Sequence, residues 1–513
     1  MHRSARPRII PVLASLVVLF TSCATVRQTQ PAPVTVEGDS DSALAVSLQI
    51  ASIVPDVFTQ ALLYTRIAEA YIDVGLILPA TSVLERAVRL AEAEEVGVAR
   101  AEVFVQLAFP FIDLGRIERA RTLLDRALRE SESASESIRT VVLQEVINAS
   151  FIAGEELFDV LVRAVDQVYI LQDLPSRASL LTDIARQYQA SGLGQQVNTL
   201  VQQAITAVGG IRNPWLRAEG YTAVARRFHV AGNESDAATY VARALREIDN
   251  VRVLTRSPAD AAVLLRVAED LSGMSRLAAA EQVIETIEFP GIYARGFAEL
   301  GSRFLERNEP DEAERVFDLA INLIAFEGTD AQLADVITDV AERLLAAGQD
   351  ATAEQNAEVA LLVVRDVDDE FTRSDVLRRL GRLFVRAGRV DLAREAADAL
   401  PDATQRARLL VAIALESLDL EETTEAFAIA EQARVAGLQA DYQIDEVTGE
   451  LVELLSRLGL YEQAIALLDQ IISPVAFGQA LVDLGRYSLR AGGLTGAETE
   501  MLRNRAVRFF PGL

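Results

Sequence analysis

Residues Arg217 to Ala244 read RAEGYTAVARRFHVAGNESDAATYVARA, and their spacing decides the fold. The first part predicts a helix from Ala218 to Val230, with small Ala225 and bulky Phe228 three apart on one face. Ala231-Gly232-Asn233 is a turn, because Gly and Asn tolerate the left-handed backbone that ends a helix. A second helix follows from about Asp236 to Ile248, with Ala237, Val241, Ala244 and Leu245 on its inner side. Alanines let the two backbones approach, and Phe228 fills the space between layers. Such a hairpin cannot bury its apolar face alone, so copies must stack on it.

The copies are present. Gly75, Gly115, Gly154, Gly192, Gly232, Ser275, Asn308, Gly348, Gly388, Glu421, Gly459 and Gly492 occupy equivalent turn positions. Five residues after the turn comes an alanine in ten of the units, from Ala80 to Ala497, and twelve after it come residues such as Ala87, Ala244 and Ala433. Seven before it lies a small residue (Ala68, Ala225, Gly301, Gly381), and four before it an aromatic (Tyr71, Phe111, Tyr188, Phe228, Phe304, Phe384). The phrase small-x2-aromatic-x3-Gly-x4-Ala-x6-Ala resembles the tetratricopeptide repeat (TPR), a helix-turn-helix unit of about 34 residues. The steps Ser275 to Asn308, Gly388 to Glu421 and Gly459 to Gly492 are close to that period; most others run several residues longer. The unit at Gly154 is degenerate, with Ile147 and Ser150 where a small residue and an aromatic are expected. The expected fold is therefore all-α, an α-solenoid of about twelve stacked TPR-like helical hairpins spanning residues 58–513.

Ahead of the repeats, Arg3, Arg6 and Arg8 precede an apolar run from Ile9 to Phe20, which reads as a secretory signal over residues 1–22. Phe20-Thr21-Ser22-Cys23 resembles a bacterial lipobox, which implies cleavage before Cys23 and lipid on its sulfur; Leu is usual where Phe20 stands, and an ordinary signal peptide is the alternative. The chain has no other cysteine, so no internal disulfide framework exists. Residues 23–42 read as a flexible tether and 43–57 as an N-terminal capping helix for the first hairpin. At the other end, Gly496 to Phe510 reads as a capping helix with Arg503, Arg505 and Arg508 outward and Met501, Leu502, Val507 and Phe509 inward.

Composition excludes several function classes. Removing residues 1–22 leaves 46 bases against 75 acids, and a duplex nucleic acid would be repelled. There is no lysine, hence no Walker-type phosphate loop; high-salt life and arginine codon bias both account for that composition. His229 is the only histidine beyond the signal, so triads and His/Cys zinc sites lack their parts. Asp366, Asp368, Asp369 and Glu370 lack the mid-loop glycine of an EF-hand and read as a solvated helix end. No catalytic residue, metal or cofactor is expected.

Arg100, Arg139, Arg177, Arg217, Arg373 and Arg406 all stand fifteen residues before the turn. They read as structural, reaching carbonyls at the end of the preceding second helix or acids such as Asp173 and Asp402. The TPR resemblance further implies that first helices line a concave groove. Counting from the small residue then places one basic patch at Arg186, Arg226 and His229 and another at Arg378, Arg382 and Arg386. Guanidinium groups grip carboxylates, so these are the candidate partner-binding residues, with pairing to groove glutamates as the alternative. The expected function is a lipid-anchored cell-envelope scaffold that binds a protein or peptide in its groove, facing periplasm or cell exterior. The alternative is a ligand-binding accessory lipoprotein of a solute transporter, which would show a closed pore or pocket rather than an open groove.

Overall fold

A computed structural model describes residues 42–93, 98–190, 192, 194–251, 257–400, 402–440 and 442–509. Cys23, the signal, most of the tether, Pro401 and Phe510 lie outside them. The helices are α1 (Ala43–Ala51), α2 (Val57–Asp73), α3 (Ile77–Ala93), α4 (Val98–Asp113), α5 (Ile117–Ser131), α6 (Glu136–Ala153), α7 (Phe158–Tyr169), α8 (Leu174–Ala190), α9 (Gly194–Gly210), α10 (Pro214–Val230), α11 (Glu234–Asp249) and α12 (Pro258–Gly273). They continue as α13 (Leu277–Ile284), α14 (Pro290–Glu306), α15 (Pro310–Glu327), α16 (Asp330–Ala346), α17 (Asp350–Val363), α18 (Glu370–Arg386), α19 (Val390–Asp398), α20 (Ala403–Asp419), α21 (Thr423–Gly437), α22 (Ile444–Arg457), α23 (Tyr461–Leu467), α24 (Pro474–Arg490) and α25 (Gly496–Ala506). No strand occurs among the described residues. Each even-numbered helix is a first helix and, from α2 to α23, the odd-numbered helix after it is its hairpin partner: the fold is a TPR-like α-solenoid.

The turn register holds in every unit. All twelve predicted turn positions have positive φ, including Ser275 and Asn308 at 60° and Glu421 at 64°. In the quoted hairpin the Asn233 amide donates to the Phe228 carbonyl at 2.9 Å, the six-to-one bond that closes a Schellman cap. Small residues sit at the crossing because nothing larger fits: a Cβ on Gly301 would lie 2.2 Å from Cε1 of Phe317. Of the arginines fifteen before the turn, Arg217 and Arg406 reach carbonyls just past the preceding second helix, those of Ile211 at 2.8 Å and Leu400 at 3.0 Å. Arg100 departs from that expectation and pairs at 2.7 Å with Glu130, an acid of its own hairpin partner α5. Asp369 caps α18, accepting the Thr372 amide at 2.8 Å.

Consecutive even-numbered helices touch one another throughout, whereas consecutive odd-numbered helices barely do, so the even-numbered helices hold the inner radius. That inner layer has no ends, because α24 packs on α2 as well as on α22. The seam is closed by α1, which lies against α24 as a second helix lies against its first. The N-terminal segment thus does more than cap the first hairpin: it packs on α2, where Gln60 donates to the Ala51 carbonyl at 2.8 Å, and it completes the last hairpin. Eight of its nine residues are buried, with Leu44, Leu48 and Ile50 fully so. The Ser47 hydroxyl donates to the Gly478 carbonyl at 2.9 Å, and Gly485 lets Leu44 come so close that a Cβ there would lie 2.7 Å from its Cγ.

This closure displaces α25. In nine units the alanine five residues after the turn is buried, but Ala497 is exposed because α1 occupies the place that α25 would take. α25 sits instead between α23 and α1, burying Leu502 and Ala506. Val507 is exposed rather than inward, and Arg508 turns inward to donate to the Asp469 carbonyl at 2.8 Å and the Ile471 carbonyl at 2.7 Å.

Candidate functional site

The inner wall is made by residues thirteen, nine, six and two before each turn, four positions on one helical face. A closed ring of twelve helices spaced roughly 9 Å apart puts opposite axes roughly 34 Å apart. With helices roughly 10–12 Å across, an opening on the order of 20 Å remains. Apolar side chains gather in one sector, Phe109 on α4 and Val141 and Ile152 on α6, the last two 48% and 61% exposed, among Glu102, Gln106, Glu145 and Asn148.

The remainder is a lattice of ion pairs between neighbouring even-numbered helices. Arg226 of α10 reaches Asp270 of α12 at 2.7 Å, and Arg266 returns to Glu219 at 2.5 Å. Arg343 of α16 holds Glu299 of α14 at 2.6 Å. Arg379 of α18 is gripped by Glu342 at 2.7 Å and Asp335 at 2.5 Å, both on α16. Arg408 of α20 meets Glu450 of α22 at 2.9 Å, and Arg486 of α24 crosses the seam to Asp73 of α2 at 3.5 Å.

The six candidate arginine and histidine residues divide within this lattice. Arg186 and Arg226 come together around Asp183, with the Arg186 guanidinium 4.4 Å over the Phe151 ring. His229 does not join them; it pairs with Glu234 at 2.6 Å at the start of α11, where Arg276 also binds. Arg378 pairs with Asp375 on its own helix, and Arg386 reaches Glu416 of α20 at 3.5 Å. Arg382 is exposed and makes no ion pair among the described residues. Glu342, a groove glutamate on the preceding first helix, is taken by Arg379.

Sequence reasoning missed Arg227. Its neighbour Arg226 faces the lumen, but one step along a helix turns a side chain by about 100°, and Arg227 points between hairpins, 5% exposed. Its register, five before the turn, gave no clear signal: Ala70, Ala149 and Leu383 stand there in other units, but so do Arg303 and Arg343.

Burial raises two acids of this lattice. It pushes Asp270 up to about 6, outweighing Arg226, with Glu219, Glu269 and Asp183 adding to the rise. Burial also pushes Asp483 up to about 6, aided by Glu453 and opposed by Arg486 and Arg66. Glu299 goes the other way: burial opposes ionisation, but the hydrogen bond and charge of Arg343, then Arg303, bring it below the ordinary range. A carboxyl whose folded pKa is raised binds its proton more tightly when folded. The stability this gives is fully present below the unfolded value near 3.8 and lost as pH rises through about 6. Stability, and with it the melting temperature, is therefore expected to rise on acidification from pH 7.5 to 5, by about 1 kcal/mol per group. Asp270→Asn with Asp483→Asn should flatten that slope, and a melting temperature that falls over this window would refute the assignment.

No family model matches the chain, and no curated protein matches it. Among solved structures it is similar to Ton1535 from Thermococcus onnurineus, at 15% identity and TM-score 0.25 over 67% of this chain and 99% of that one. It is similar also to the nearly identical TPR-like repeats of a putative kinesin light chain from Podosopora anserina, at 20% identity and TM-score 0.27 over 40% of this chain and 100% of that one. A Rap protein complexed with competence and sporulation factor matches at 13% identity and TM-score 0.25, over 70% and 99% of the two chains.

Proposed function

We propose that the protein is a lipid-anchored scaffold of the bacterial cell envelope, facing periplasm or cell exterior, whose ring seats a segment of a protein partner against its inner wall. The observation that carries this reading is the width of the opening; its closure is the feature expected of the transporter accessory and replaces the open groove expected of the scaffold. An unbroken inner surface around an opening on the order of 20 Å accepts a helix roughly 10–12 Å across or an extended chain. A small solute in the same opening would touch one wall only. Net negative charge disfavours nucleic acid as the occupant. The membrane link rests on the sequence Phe20-Thr21-Ser22-Cys23; none of the described helices is long and apolar enough to cross a bilayer.

Two measurements test the two halves of the proposal. Cys23→Ser should move the protein from the detergent phase to the soluble fraction, and continued partition into detergent would remove the anchor. A photo-cross-linking residue at Arg382 should capture a discrete protein partner in cells, whereas the same residue at Leu362, exposed on the outer helix α17, should not. Equal capture from both positions would sink the lumen as the binding surface. The transporter-accessory reading stays second, favoured by the closed rather than open inner face.

A further inference from the structure

Three arginines share the register five residues before a turn: Arg227, Arg303 and Arg343. Two have carboxylate partners. Arg303 pairs with Glu299 at 3.0 Å and Glu306 at 2.9 Å, and Arg343 with Glu299 at 2.6 Å and Asp339 at 3.0 Å. Arg227 has none among the described residues, because its own helix offers Ala223 and Val230 at the equivalent positions. Its single hydrogen bond is a long one, from Nη2 to the Ala185 carbonyl at 3.4 Å. Nε and Nη1 are buried with nothing to donate to.

Acids are not scarce in this chain, which carries 75 of them against 49 bases, so the missing partner is a property of this site. Arginine does not shed its proton in a protein, although burial and the nearby Arg186 charge both push Arg227 downward. A buried charge without a counter-charge is strongly destabilising. The unpaired guanidinium lines a cleft of about 640 Å3 between the α8–α9 hairpin and α10, within the range of small-ligand sites. Val197, Val201 and Phe228 give it an apolar wall, and Gln189 and Asn198 stand exposed at its mouth. Phe228 is only half-buried, whereas Tyr71, Phe111 and Phe384 at the same register are fully covered. The cleft is open where its equivalents are filled.

We propose that this cleft binds a small organic monocarboxylate, its carboxylate on Arg227 and its short apolar chain against Val197, Val201 and Phe228. Among the described residues the lining has one cation and no acid, which suits a single negative charge; a phosphate dianion would want a second cation in contact. The site lies between hairpins rather than in the lumen, so it does not depend on the scaffold reading.

The test uses the protein from Cys23 onward carrying Cys23→Ser, with thermal shift and calorimetric titration of butyrate, butanamide as its neutral isostere, and inorganic phosphate. Butyrate should bind saturably and raise the melting temperature, with butanamide and phosphate having little effect. Arg227→Met should weaken butyrate at least about tenfold, the scale of losing a charge-assisted pair, and should raise the melting temperature of the ligand-free protein by removing the uncompensated charge. Arg227→Lys should retain partial binding. The proposal is overturned if butyrate leaves the protein unmoved, if phosphate alone binds, if Arg227→Met responds to butyrate as before, or if Arg227→Met lowers the melting temperature of the ligand-free protein.

Discussion

A chain that begins at Ser52 is expected to keep its helices and lose its ring. Removing α1 takes Leu44, Val46, Leu48 and Ile50 from the seam, all 0–2% exposed. At roughly 1.5–3 kcal/mol for each buried aliphatic side chain, the loss is on the order of 6–12 kcal/mol, comparable to the whole stability of many domains. Elsewhere each hairpin is held by its neighbours alone, so the damage should stay at the seam. Small-angle scattering should show a larger radius of gyration, circular dichroism at 222 nm should change little, and the melting temperature should fall by many degrees. Gly485→Leu should give a milder version, because its side chain would be driven into Leu44, whose backbone nitrogen lies 3.0 Å from the added Cβ. A peptide of residues 43–52 added in trans should restore compactness to the shortened chain. An unchanged scattering curve after the deletion would mean that α1 does not hold the ring. Closure also constrains function: a partner that passes through the opening must thread by a free end or wait for the seam to part.

The seam was also where sequence reasoning stopped. The turn register was legible down to the three units without glycine, because Ser275, Asn308 and Glu421 hold the same spacing and the same left-handed backbone. The carbonyl contacts of Arg217 and Arg406 were legible for a similar reason, being local contacts that recur. The seam joins Ser47 to Gly478, 431 residues apart, and no periodicity reports a contact made once. The apolar segment ALAVSLQIA satisfies a cap and a seam helix equally well. The groove patches were half-legible. Helical counting placed Arg186, Arg226 and Arg382 on the inner wall, but it says nothing of which acids a neighbouring helix presents. It also could not show that His229 leaves the patch for Glu234.

Arg379 and Arg382, three residues apart on α18, should respond to mutation in opposite ways. The Arg379 side chain is 23% exposed and bonded to Glu342 and Asp335 of α16. Replacing it with Met would leave Asp335 and Glu342 without their guanidinium partner on one helix face, beside an Asp339 held by Arg343 alone. Breaking a fully buried pair costs about 3–5 kcal/mol, and an exposed one about 0–1; this partly covered cluster falls between, at about 2–3 kcal/mol. Part of the loss should return in high salt, which screens the remaining acids. Arg382→Glu removes no bond, so its effect on stability should stay within about 0.5 kcal/mol. It does reverse the charge of the one candidate arginine that no acid of the described residues engages, and capture of a partner with an acidic segment should fall steeply. Stability lost at Arg379 and binding lost at Arg382 would separate the lattice that holds the ring from the surface that uses it. If Arg382→Glu instead lowers the melting temperature by many degrees and spares binding, the inner wall at α18 is structural throughout.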